Sequence, residues 1–288
     1  MLLTCTPNPA LDRAAELPRL TVGGLNRLGA VKVTAGGKGI NVARIASSMG
    51  VPSQAILPVG GPNGSRLREL LEAEGLDCVF LPVEGETRAN LKLRSAGIIT
   101  EFNEAGPPAD AGLLAAFGEA LKARVQPGDF VVFCGSLPPG FPADGYQKLL
   151  VLAKHLGAFT VLDTSGEALK LGLGAKPDLI KPNGLELGSL FGEPEADMPR
   201  LLVLARQLLE EGMAGAVLCS LGADGAFYLT REGYRSLPAL PVSDPVTTVG
   251  AGDALLAGFL AGRLRGEDPE AAMQTGLLAA HSLVSGEA

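Results

Sequence analysis

A chain of 288 residues that is 47% hydrophobic, 19% charged and 5% aromatic can bury a sizeable core and is not a disordered polymer. Its formal net charge of −7 excludes a general nucleic-acid coat, so any phosphate site has to be a local cluster of cations or amides. No apolar run reaches the roughly 18 residues of a membrane span, and Met1-Leu2-Leu3-Thr4 has no basic segment ahead of it, so the chain reads as unexported and cytoplasmic.

In chain order, short β-type runs alternate with longer helical patterns. The reading gives a strand at residues 2–4, extended chain at 30–34, a helix at 40–49, a strand at 55–59 and a helix at 65–74. Between Thr87 and Asn103 the rhythm changes: residues 88–94 alternate polar and apolar, and 98–102 can pair back across Ser95-Ala96-Gly97 as a hairpin. Strands at 130–134, 159–162 and 216–219, with a helix at 143–156, restore the alternation. A mostly parallel sheet covered on both faces follows, as α/β architecture. The interrupting segments, approximately 11–34 and 86–104, form a small β lid on a single domain spanning 1–288.

Cys5, Cys78, Cys134 and Cys219 are far apart in the sequence, so they read as free thiols rather than a zinc or redox pair. His155 and His281 are the only histidines and neither adjoins an obvious nucleophile, which makes His-dependent hydrolysis or a His-rich metal centre improbable.

Four segments carry chemistry. Thr247-Thr248-Val249-Gly250-Ala251-Gly252-Asp253 is a small-residue loop that opens an apolar helix. Its free backbone N–H groups and the positive helix end suit an anion, while Asp253 in the first turn is either a proton acceptor or a capping aspartate. Gly36-Gly37-Lys38-Gly39-Ile40-Asn41 also precedes a helix; Lys38 offers a mobile charge and Asn41 can donate and accept toward a polyol, the alternative being a flexible turn with a solvated lysine. Neither a Walker loop nor a dinucleotide fingerprint is present there, which disfavours a nicotinamide dehydrogenase. Asn183 and Glu186 in Lys181-Pro182-Asn183-Gly184-Leu185-Glu186 face one side of a starting helix, as a Mg²⁺–phosphate pair or as a helix cap. Ser220-Leu221-Gly222-Ala223-Asp224-Gly225 ends a strand and, by itself, is a hairpin turn into 226–230.

Taken together and in order, these segments resemble the ribokinase-like (pfkB) family of carbohydrate kinases, from end to end. Thr6-Pro7-Asn8-Pro9-Ala10-Leu11-Asp12, Thr87-Arg88-Ala89-Asn90-Leu91-Lys92 and Gly135-Ser136-Leu137-Pro138-Pro139-Gly140 look like its hexose-phosphate kinase branch. The resemblance implies a three-layer α/β/α domain with a β lid that phosphorylates a ketohexose phosphate using ATP and Mg²⁺. Fructose 1-phosphate is the expected acceptor, tagatose 6-phosphate or fructose 6-phosphate are alternatives, and a non-catalytic sugar-phosphate sensor is the reading from another class. It implies that Asp12, Gly37, Lys38, Asn41, Arg88 and Ser136 hold the sugar phosphate, with Lys38 and Arg88 near its phosphate and Arg27, Asn90 and Lys92 as further candidates. Asn183, Ser220, Gly222 and Gly225 would contact ATP, Glu186 would reach Mg²⁺ through water, Gly250, Ala251 and Gly252 would form the anion hole, and Asp253 would be the base. The expected partners are small molecules, with no nucleic acid and no membrane, and a homodimer through the lid. The chain ends soon after Ser285, so less C-terminal helix is expected than the family usually has, and the adenine contacts are left unassigned.

Overall fold

The computed structural model describes residues 1–243 and 245–287. The chain opens with β1 (Leu2–Cys5), enters a small sheet as β2 (Ala10–Leu17) and β3 (Val31–Gly36), and returns through α1 (Lys38–Ser48) to β4 (Ser53–Val59). Helix α2 (Gly61–Ala73) and β5 (Asp77–Pro82) precede β6 (Arg88–Ser95) and β7 (Ile98–Asn103). Then come α3 (Ala111–Arg124), β8 (Phe130–Cys134), α4 (Gly145–His155), β9 (Phe159–Asp163), α5 (Gly166–Gly172) and β10 (Leu179–Ile180). The remainder comprises α6 (Gly184–Leu190), α7 (Met198–Glu210), β11 (Val217–Ser220), β12 (Ala226–Leu229), β13 (Tyr234–Leu237), α8 (Ala251–Leu264) and α9 (Pro269–Ser285).

The larger sheet runs β13-β12-β11-β10-β9-β8-β1-β4-β5, parallel from β11 to β5 and antiparallel at the β12 and β13 edge. Its central strands are apolar runs because both faces are covered. The pleat sends Leu3 and Cys5 toward Phe117, Tyr146 and Leu201 of α3, α4 and α7, and Leu2 toward Val42, Leu256 and Met273 of α1, α8 and α9. The chain winds from β1 to β4 in one direction and from β8 to β11 in the other, so a crevice opens beyond the carboxyl ends of β1 and β8. The α1 N-terminus lies directly after the small sheet, at that end.

The smaller sheet has the order β3-β2-β6-β7, with β2 and β6 parallel. Alternation puts Asp12, Asn90 and Lys92 on one face, while Leu17 and Leu93 of the other face pack with Leu20 and Leu91. The hairpin turn uses only Ala96 and Gly97, both left-handed (φ 48° and 80°), with Ser95 opposite Ile98, so β6 runs one residue further than its alternation suggested, while β7 gains Asn103 at its far end.

Two helices also start earlier than their periodicity suggested, whereas α4 starts later, at Gly145 rather than residue 143. Helix α1 begins at Lys38 rather than residue 40, and α2 at Gly61 rather than 65, with proline in its first turn. Apolar periodicity registers a helix only at its first buried residue, so polar or small first turns escape it. No candidate membrane span is found among the described helices.

Candidate active site

Two parallel strands and the start of α1 bring together side chains that meet. Asp163 closes β9 and is fully buried. Its Oδ1 accepts from Lys38 Nζ at 2.8 Å, and Lys181, which follows β10, brings its Nζ to 3.4 Å from Oδ2. Lys181 is itself buried, and Asp163 Oδ2 has no hydrogen bond, the Lys181 contact being an ion pair without hydrogen-bond alignment. Burial alone would lower the Lys38 ammonium; attraction to Asp163 and the hydrogen bond Lys38 donates to it, with smaller contributions from Glu186 and Asp253, raise it above its ordinary value instead. Lys38 is therefore not a solvated turn lysine.

Helix α8 starts from Gly250 in the left-handed region (φ 86°), a conformation a side chain would strain. Asp253 stands in the first turn and is 6% exposed, yet it does not cap its own helix: Oδ2 accepts from Asn41 Nδ2 at 2.8 Å. Burial pushes its carboxyl up from 3.8 to about 6 and the nearby Asp163 adds to this, while the Asn41 hydrogen bond, Lys38 and Lys181 pull the other way. A Cβ placed on Gly252 would lie 3.3 Å from Lys181 Nζ, so that ammonium rests against the turn whose N–H groups lack intrahelical acceptors. Gly250, Ala251, Gly252 and Lys181 thus surround a place suited to an anion, beside a carboxyl whose proton affinity is raised toward neutral pH.

On the lid side, Asp12 Oδ1 accepts from Asn90 Nδ2 at 3.0 Å and Oδ2 from Lys92 Nζ at 2.7 Å. A Cβ on Gly36 would fall 2.5 Å from Asp12 Cγ, so glycine is required for β3 to pass this carboxylate. Gly37 continues the bend with φ 135° into α1. Arg88 is half-buried and donates to the Asn8 carbonyl at 2.8 Å and the Glu104 carbonyl at 3.0 Å, with Nε left unbonded. Burial lowers the proton affinity of its guanidinium, against the pull of Asp12 and Glu104. Ser136 is exposed and accepts from Asn8 Nδ2 at 3.2 Å; Arg27 is exposed on the loop between β2 and β3.

Farther along the sheet, Asn183 and Glu186 form a reciprocal helix cap on α6: Asn183 Oδ1 accepts from the Glu186 N–H at 2.7 Å and Glu186 Oε2 from the Asn183 N–H at 2.9 Å. The capping alternative is thus realised in the structure. Asn183 also bridges to Ser220 in parallel fashion, and residues 222–224 turn β11 back into β12, with Gly222 and Gly225 in that turn. Among the described residues no group of three or more His, Cys, Asp or Glu side chains could hold a metal. Mg²⁺ commonly takes one or two carboxylates together with substrate phosphates. Glu186, whose cap uses only Oε2, fits an ion that arrives with a nucleotide.

The structure therefore brings Lys38, Asn41 and Asp253 together, places Asp12 and Arg88 on the adjoining small sheet, and puts Asn183, Glu186 and Ser220 at the same end of the large sheet. Sequence reasoning assigned no role to Asp163, Lys181, Asn8 or Arg44. The available signals were an aspartate ending the apolar run 159–162 and a lysine directly after Leu179-Ile180. Cys5, Cys134 and Cys219 are buried free thiols and Cys78 is half-buried.

Residues 8–287 match the profile described as pfkB family carbohydrate kinase. The chain is 40% identical over 262 residues to a 1-phosphofructokinase of Bacillus subtilis (strain 168), covering 91% of this chain and 85% of that protein. It is 36% identical over 263 residues to a 1-phosphofructokinase of Rhodobacter capsulatus, covering 90% and 82%. The crystal structure of phosphofructokinase-2 from Escherichia coli in complex with fructose-6-phosphate superposes with a TM-score of 0.92 at 28% identity, over 98% of this chain and 93% of that one. With the two sheets and the crevice already described, these likenesses establish that the chain belongs to the pfkB family of carbohydrate kinases.

Proposed function

We propose that this kinase transfers the γ-phosphoryl group of ATP to the C6 hydroxyl of fructose 1-phosphate, giving fructose 1,6-bisphosphate and ADP. The observation that carries the reading is Asp253: a buried carboxyl raised to about 6, held by Asn41, in the first turn of a helix whose N-terminus adjoins the Lys181 ammonium. The two 1-phosphofructokinases at 36–40% identity support the choice of acceptor.

Asp253 accepts the hydroxyl proton, and the transfer does not need a preformed alkoxide because the transition state is loose. The first-turn N–H groups of α8 and Lys181 face the charge that develops on the transferred group. Asp12, clamped by Asn90 and Lys92, orients sugar hydroxyls, and Asn41 adds a further contact. Lys38 and Arg88 supply cations for the phosphate already on the sugar, with Ser136 beside Asn8 at the pocket rim. Asn183, Ser220, Gly222 and Gly225 line the ATP side. Glu186 would hold Mg²⁺ through water, and the ion, when bound, would neutralise phosphate charge. The lid covers the site and excludes water.

Exposed Val22, Leu25, Ile98 and Phe102 on the lid segments support pairing with a second copy of the chain. We treat residues 1–288 as one folding unit.

Coupled ADP release with fructose 1-phosphate, fructose 6-phosphate, tagatose 6-phosphate and unphosphorylated fructose tests the reading. The expected result is the highest kcat/KM with fructose 1-phosphate. The likeness to phosphofructokinase-2 in complex with fructose-6-phosphate favours a second reading, in which fructose 6-phosphate leads. Binding without ADP release would replace both by a sensor.

A further inference from the structure

Arg44 lies one turn beyond Asn41 on α1, hence on the same face of the helix. Its Nη1 donates to Asn41 Oδ1 at 3.0 Å, and its Nη2 to the Ala35 carbonyl at 3.0 Å. The fork also grips Glu74, which follows α2, through Nε at 2.8 Å and Nη2 at 3.3 Å. A carboxamide has distinct ends: Oδ1 only accepts and Nδ2 only donates. A guanidinium has donors alone, so it can engage only Oδ1, and this leaves Nδ2 turned toward Asp253 Oδ2 at 2.8 Å. Reversing the amide would set an oxygen against the carboxylate and an NH₂ against the guanidinium, two repulsive contacts at once. Ala35, the other acceptor, belongs to β3 and pairs with Leu11, next to Asp12.

We propose that Arg44 is a positioning residue for phosphoryl transfer: it fixes which end of the Asn41 amide faces Asp253, and its bond to Ala35 ties that orientation to the root of the lid. The inference rests on the reading of Asp253 as the base. The competing role is a surface staple between α1 and α2 through Glu74, which partly exposed pairs of this kind fill with little energetic effect. A staple would affect melting without touching the acidity of the site. The other groups that face Asp253, namely Asp163 from β9, Lys38 from α1 and Lys181 after β10, are unchanged when Arg44 is replaced.

The test is a double-mutant cycle with Arg44→Met, Asn41→Ala and the double variant. Each is assayed by ADP release at saturating ATP, with whichever acceptor of the panel above turns over fastest, across pH 5 to 8. Arg44→Met is expected to lower kcat about tenfold and to move the acid limb of kcat upward by roughly 0.5–1 pH unit. The double variant should be no slower than Asn41→Ala, because both changes remove one and the same hydrogen bond to Asp253. A fully additive loss in the double variant, or an acid limb that stays in place in Arg44→Met while the melting temperature falls, would overturn the proposal. If Arg44→Met does not fold, Arg44→Leu, which likewise carries no donor for Asn41 Oδ1, must show the same movement of the limb; an unmoved limb overturns the proposal equally. Asp253→Asn runs alongside: retained turnover there removes the base itself, whereas an inactive Asp253→Asn with an additive cycle removes only the role of Arg44.

Discussion

Replacing Asp253 by asparagine should make the protein more stable while making it a worse enzyme. In the folded chain the Asp253 carboxyl is raised to about 6 from its ordinary 3.8, first by burial and then by Asp163. Between those two values the folded state keeps a proton that the unfolded chain has released, so stability falls as pH rises through this window and stays lower above it. The difference of about 2 pH units corresponds to about 3 kcal/mol at pH 7.5 and about 1 kcal/mol at pH 4.5. The substituted amide cannot ionise, and its oxygen can still accept from Asn41 Nδ2, the donor now 2.8 Å from Asp253 Oδ2. Asp253→Asn should therefore gain up to about 3 kcal/mol at pH 7.5, roughly 5 °C in Tm for a chain of this size, and most of that gain should vanish at pH 4.5. Denaturant and thermal melts at the two pH values, without nucleotide or sugar phosphate because both stabilise the native state, measure the difference. A variant that is destabilised, or that gains equally at both pH values, would refute the argument.

Turnover of the same Asp253→Asn protein should fall by orders of magnitude with ATP affinity little changed; near-normal turnover would remove the base assignment. Lys181→Met should lower kcat by roughly 100-fold, since it strips the ammonium from the α8 N-terminus, and a kcat within a few-fold of wild type would refute that role. Arg88→Ala should raise KM for the sugar phosphate more than it changes kcat; an unchanged KM would detach Arg88 from the phosphate. Ile98→Asp combined with Phe102→Asp should halve the mass measured by light scattering, and a wild-type chain already running as a monomer would contradict pairing through the lid.

How much of this was legible beforehand depended on whether the signal was local. Gly250-Ala251-Gly252-Asp253 announced an open helix start because glycines and a following apolar run are adjacent in sequence. Asp163 and Lys181 gave no such notice: a charged residue ending an apolar strand looks like the beginning of a turn. Their meaning comes from the parallel pairing of β9 with β10, which sets the two strand ends side by side. Asn183 and Glu186 were ambiguous in principle, since a helix cap and a nucleotide contact demand the same three-residue spacing, and the structure shows the cap formed. Strand β2, with the sequence ALDRAAEL, is rich in helix-favouring residues and shows a buried alternation only at Ala15 and Leu17; pairing with β3 and β6 decides its conformation.

The guanidinium of Arg88 has a mechanical consequence. The backbone passes between the two sheets after β1, before β6, after β7 and after β3, and Arg88 touches three of these crossings: it stands at the first residue of β6 and bonds the carbonyls of Asn8 and Glu104. Three of the four crossings are thus held together by one guanidinium at the junction of the two sheets. An anion that drew the guanidinium away from those carbonyls would release these crossings together, whereas Arg88→Ala removes the tie in the absence of any ligand.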